Sequence, residues 1–284
     1  MASVVSERPN RLPAIRTALA QQGFAAYRAS PALARLAIAF FAAFLITACL
    51  GLVDGRTLYG VSVWWKPAKF FLSLTIHSAT LAWGISLLRE GDRRSRGIRI
   101  AAGTFVWCSV LEMTYVTLQA ARAEPSHFNL TTALYLALYS LMGAGALAML
   151  MATGYVGRRL LKRVAVASRP VLVHAVGLGM LATAILGTLT GAYMSAQRGH
   201  WVGSVASDTA GLPFAGWSTI QGDLRVAHFF GMHSMQVLAM AGLLANRLPP
   251  LRANRIVTVT LLIWGALTAA IFLEAVLGRP FLPV

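Results

Sequence analysis

Three side chains that resist burial in hydrocarbon stand deep inside apolar stretches of this sequence: His77, Glu112 and His233. An ionisable group in such a place costs free energy unless a partner satisfies it, so each marks a functional candidate. Two imidazoles and a carboxylate with an open coordination position form a common catalytic set for zinc or non-haem iron. The same two histidines, carried on two helices, are also what axial ligation of a haem b requires. A third reading needs no cofactor and makes the His and Glu side chains a proton relay or transport path.

Each of the three belongs to a polar stripe. Lys66, Lys69, Ser73 and His77 follow one another at spacings of three and four, and so share one helix face. Two lysines at a helix N-terminus oppose the helix dipole and call for an anion beside them. Glu112, Tyr115, Gln119 and Arg122 make a second stripe by the same spacing. In GDLRVAHFFGMHSMQ (222–236), Arg225, His228, His233 and Gln236 fall within an arc of about 140° at 100° per residue. Counted inward at about 1.5 Å per residue, His77, Glu112 and His233 all lie about 14–15 Å deep, near the middle of a bilayer.

The spacing therefore assigns His77, Glu112 and His233 as metal ligands, with His77 and His233 the alternative haem ligands. His228, Tyr115, Gln236 and Asp223 are the acid–base or supporting groups. Lys66, Lys69, Arg122 and Arg225 ring the mouth and hold an anionic group. His127 and His200 fall in loops on the same side and could roof the pocket, the plainer alternative being solvation. His174 stands apart as a packed or interfacial histidine. Glu274 is expected to pair with a cation at the mouth, and Gly187 and Gly191 to serve close helix packing.

The elements that must position these groups are membrane spans. The 284 residues are 57% hydrophobic and only 12% charged, about half the charge of a soluble domain. Runs long enough to cross a bilayer occur at about 36–54, 67–88, 100–121, 130–156, 170–195, 224–246 and 256–277. Most of the 25 basic residues fall before the first run or in the segments after the second (REGDRRSRGIR), fourth (GRRLLKR) and sixth (NRLPPLRANR). The positive-inside rule makes that side cytoplasmic. The net charge of +16 is thus a topology signal and not a nucleic-acid footprint. Cys49 and Cys108 both lie in apolar runs and form no CxxC or disulfide framework.

The expected fold is an all-α integral membrane protein, a bundle of seven transmembrane helices with the N-terminus cytoplasmic and the C-terminus periplasmic. A basic segment at 1–33, either an interfacial helix or a disordered tail, precedes a single domain at 34–284. The first 30 residues carry no apolar core ahead of a cleavage site. The inner halves of spans 2, 3 and 6 are almost wholly apolar, and no inverted repeat is visible, which suits an enclosed site better than a transport path. The expected function is a metal-dependent enzyme of a bacterial inner membrane, using zinc or iron on an anionic or lipid-like substrate. A haem b oxidoreductase serving a quinone, and a cofactor-free transporter or sensor, are the alternatives.

Overall fold

The computed structural model describes residues 12–162 and 171–283. Helices dominate: α1 (Leu12–Ala29), α2 (Pro31–Val53), α3 (Trp65–Ser86), the single turn α4 (Glu90–Arg93), α5 (Arg96–Ala121), α6 (Ala133–Leu161), α7 (Val171–Ala196), α8 (Leu224–Met232), α9 (Ser234–Ala245) and α10 (Pro250–Val276). Among the described residues two short antiparallel pairs accompany them, β1 (Thr57–Leu58) with β2 (Val61–Ser62) and β3 (Trp201–Val202) with β4 (Gly222–Asp223). Arg8, Arg11 and Arg163, three of the residues on which the expected orientation rests, lie outside the described residues.

Five helices, α2, α5, α6, α7 and α10, are long and apolar enough to cross a membrane. Their outward faces carry exposed large apolar side chains, among them Ile46 and Leu52 on α2 and Leu262 and Ile263 on α10. Unpaired apolar surface of this extent suits a lipid solvent. The 22-residue α3 is long enough too, but Lys66, Lys69 and His77 dilute its apolar character. It begins at Trp65, two residues ahead of the run expected at 67–88.

One core joins the bundle. Leu33 of α2, Leu81 and Ile85 of α3, Phe105 and Met113 of α5, Val156 of α6, Met180 of α7 and Met235 of α9 form a continuous buried cluster. α1, in the basic N-terminal segment, is helical and packs on α3 and α2. The connections 54–64, 122–132 and 197–223 share one end of the bundle, which we call the loop end. The other end carries Arg28, Arg35, Arg89, Arg158 and Arg247.

The run at 224–246 is not the continuous helix expected of it: α8 ends at Met232 and α9 starts at Ser234. The cause is a side chain of α7. The Thr183 hydroxyl accepts the Met235 N–H at 3.0 Å and donates to the Met232 carbonyl at 3.2 Å. It therefore stands inside the backbone ladder, a recognised origin of helix kinks. Ser234 Oγ donates to the Gly231 carbonyl at 2.8 Å, so that acceptor is satisfied as well. Gly179 allows the approach, because a Cβ there would lie 2.8 Å from Met235 Cα.

Candidate functional site

The loop end is a built cap. Arg225 gathers Asp223 (2.7 Å), Asp208 (2.7 Å) and the Gly216 carbonyl (2.6 Å) around one guanidinium. Asp223 also caps α8 by accepting from Arg225 N, and accepts from Ser218 N. Both its oxygens are thus committed to fastening the loop, so its chemistry is that of a cap. Asp54 receives Arg56 and Trp64, each at 2.7 Å. The Arg56 hydrogen bonds first, then Trp64, hold its carboxyl well below the usual carboxylate range. All non-glycine residues with left-handed φ among the described residues (Tyr59, Ala123, Phe128, Arg198 and Phe214) lie in this cap. Backbone strain collects where a site has to be shaped.

Polar side chains cluster against the cap. Lys69 donates to the Ala215 carbonyl at 2.9 Å, and beside it a cavity of about 260 Å³ lies between α3 and the cap loops, lined by Trp65, Lys69, Asp208, Thr209 and Phe214. Lys66 stands one turn away and lies in electrostatic range of Lys69, Arg225 and Glu112. Glu112 is 8% exposed, and its Oε1 is 3.8 Å from His127 Nε2. Its Oε2 is buried with no hydrogen-bond partner among the described residues. Burial, then the charge of Lys66 and of His228, depresses the His127 pKa well below 6.5. At 3.8 Å the two groups are neighbours, a separation longer than a hydrogen bond. His200, stacked on Trp201 at 3.9 Å, is depressed likewise by burial, then by Arg225, Lys66, Lys69 and His127. Its Nε2 and the Trp201 Nε1 are buried without partners among the described residues.

The histidines of the helices are locked by hydroxyls. Thr153 gives its proton to the Met149 carbonyl (2.9 Å), so it accepts from His77 Nε2–H at 2.9 Å, and the His77 lone pair falls on Nδ1. Thr190 gives its proton to the Leu186 carbonyl (2.7 Å), so it accepts from His228 Nδ1–H at 3.0 Å, leaving the lone pair on Nε2. These tautomers follow from the hydrogen-bond network. His233 sits at the α8–α9 break against the Phe229 ring (4.2 Å), in electrostatic range of His77. Gln236 donates to Thr80 at 3.3 Å and is a side-chain hydrogen-bond partner of His233.

The residues singled out by spacing thus divide. His77 and His233 approach each other, but Glu112 faces His127, and no hydrogen bond or ion pair joins it to either histidine among the described residues. Nor do the described residues gather three His, Cys, Asp or Glu side chains as a metal would require. Lys66 lies in electrostatic range of Lys69 and Arg225 at the loop end. Arg122 is exposed at the end of α5 and reaches Tyr135 at 3.3 Å. Tyr115 lies in electrostatic range of Tyr135 and Arg122, with its hydroxyl buried and unpartnered among the described residues. Glu274 reaches Arg279 (3.4 Å) on the exposed surface and not a mouth cation. Gly187 and Gly191 lie against Met232 Sδ and the His228 ring, in close packing. Thr153, Thr183 and Thr190, which orient the site, carried no sequence signal of their own.

The architecture and site define a class, an α-helical protein with membrane-length apolar helices and a cluster of polar side chains at one end. No protein-family model, curated protein or solved structure matches the chain.

Proposed function

We propose that the chain is a bacterial inner-membrane enzyme that binds an anionic, lipid-like substrate in its outer half and moves a proton through Glu112 and His127. Seven crossings serve it: α2, α3, α5, α6, α7, the interrupted α8–α9 pair, and α10. The reading of α3 as a span is supported by its place between α2 and α5, with both lysines confined to its loop end. The arginines at the opposite end favour a cytoplasmic N-terminus and a periplasmic C-terminus.

One arrangement carries the functional reading. A buried carboxyl has one oxygen 3.8 Å from an imidazole and the other without a partner among the described residues, while a lysine stands in electrostatic range. Lys66 would hold the anionic group, Glu112 and His127 would give and take the proton, and the 197–223 connection would exclude water. A zinc or iron would need His77, Glu112 and His233, and a haem His77 and His233; the described residues do not gather the three metal ligands.

Binding of octyl phosphate to the purified protein in dodecylmaltoside tests the proposal. Lys66→Gln should weaken it at least about tenfold, the scale of a charge-assisted hydrogen bond. Glu112→Gln should retain binding but lose the proton uptake or release that accompanies it. Wild-type affinity in Lys66→Gln overturns the reading. So does a Soret band, or stoichiometric zinc or iron, that disappears in His233→Ala, which would establish a metal or haem centre instead.

A further inference from the structure

At the arginine-rich end, a crevice of about 350 Å³ runs between α1, α2 and α3. Its walls are small and apolar: Ala26, Ala34, Ala37, Ala79 and Ala82, with Trp83 at one side. Five alanines facing one another leave a slot where larger side chains would have closed the packing. Tyr27 lies at its edge, with Arg35 Nε and Nη2 each 3.4 Å from its hydroxyl. Arg28 rests on the Phe24 ring at 4.7 Å, on the face of α1 turned away from the slot. Arg35 is exposed and has no carboxylate partner among the described residues. The slot is therefore apolar inside with one cation at its rim, and Trp83 lies three residues from the end of α3, where amphipathic rings meet headgroups.

We propose that this crevice is a binding site for an anionic membrane phospholipid, with one acyl chain between α1, α2 and α3 and the phosphate on Arg35. Charge complementarity selects this occupant. A zwitterionic lipid would supply the same chain, but its own cation would offset the phosphate beside that arginine. The lipid completes the packing of α1, which otherwise leaves its Gln22, Gly23 and Ala26 face over the slot.

Trp83 reports the site. The full-length protein is reconstituted in phosphatidylcholine vesicles containing a fixed fraction of dibrominated phosphatidylglycerol or dibrominated phosphatidylcholine. The quenching that Trp83→Phe removes is its share of the signal. That share should show a preference for the anionic lipid of at least about fivefold, the scale of one basic side chain at an anionic leaflet. Arg35→Gln should abolish the preference, and Ala34→Leu, which fills the slot, should reduce quenching by both lipids. Equal quenching of Trp83 by the two lipids overturns the proposal, as does a preference that survives Arg35→Gln. Either result leaves the reading of the opposite end untouched, because no residue is shared.

Discussion

The clearest quantitative consequence concerns Thr183, whose hydroxyl divides the sixth long apolar run. Thr183→Val keeps the shape of the side chain and removes only the hydroxyl. The Met235 N–H then loses its acceptor and the Met232 carbonyl loses its donor. Thr183 and Met235 are both 0% exposed, so water does not replace either bond. A buried donor left unsatisfied costs about 1–3 kcal/mol, whereas interhelical hydrogen bonds within membrane proteins average about 0.6 kcal/mol. Relaxation to a regular ladder would require the Met235 N–H to reach the Gly231 carbonyl, which Ser234 Oγ already occupies. Gly231 itself is wedged against Leu186, where a Cβ would lie 3.1 Å from that residue's backbone. We therefore expect Thr183→Val to lose about 1–3 kcal/mol and Thr183→Ser, which keeps the hydroxyl, to lose less than about 1 kcal/mol. Reversible unfolding in mixed detergent–SDS micelles measures both. Valine and serine variants of equal stability, or a valine variant as stable as the wild type, would refute the account of the break.

Gly157→Ala should destabilise the α6–α7 contact, since the new Cβ would stand 2.8 Å from both the Gly177 carbonyl and Met180 Cβ. The overpacking cost of about 1–3 kcal/mol outweighs the roughly 1 kcal/mol gained in helix propensity. Gly143→Ala on the same helix meets nothing within 4 Å and should be neutral or stabilising in the same unfolding assay. Acidification should destabilise the cap, because burial keeps His127 and His200 below their ordinary value of 6.5. The unfolded chain then binds protons first, so stability is full above about pH 6.5 and falls as pH drops from there toward the folded values. The slope is at most about 1.4 kcal/mol per pH unit for each histidine. Midpoints of thermal unfolding between pH 7.5 and 5 check the sign, and His127→Gln should flatten the curve.

Much of the fold was legible because lipid-facing helices leave a coarse signal. The runs at 36–54, 100–121, 130–156, 170–195 and 256–277 each lie largely within α2, α5, α6, α7 and α10. The polar faces were legible too, since spacings of three and four are a property of one helix. What a face meets is a property of two. His77 was recognised as costly, but its partner Thr153 lies on α6, and Glu112 found His127 in a loop and not a histidine at its own depth. Equal depth on separate helices fixes height alone, and leaves open how each helix is turned about its axis.

The threonines show why the remainder stayed hidden. A threonine in an apolar helix ordinarily returns its hydroxyl to its own backbone four residues earlier, as Thr47, Thr75, Thr114 and Thr268 do here. Thr153 and Thr190 make that same bond, yet their remaining lone pairs fix the tautomers of His77 and His228. Thr183 instead directs its hydroxyl into the neighbouring helix and divides it. In sequence these residues are alike, because the hydroxyl proton is satisfied locally in most of them and the difference lies in what approaches the free lone pair. That approach is governed by the small residues beside them: Gly179 and Gly187 flank Thr183, and Gly191 follows Thr190. The pattern Gly-x-x-x-Thr-x-x-x-Gly on α7 therefore couples two effects. Glycine removes the bulk that would hold α8–α9 away, and threonine supplies the polar atom that the closer backbone or imidazole requires.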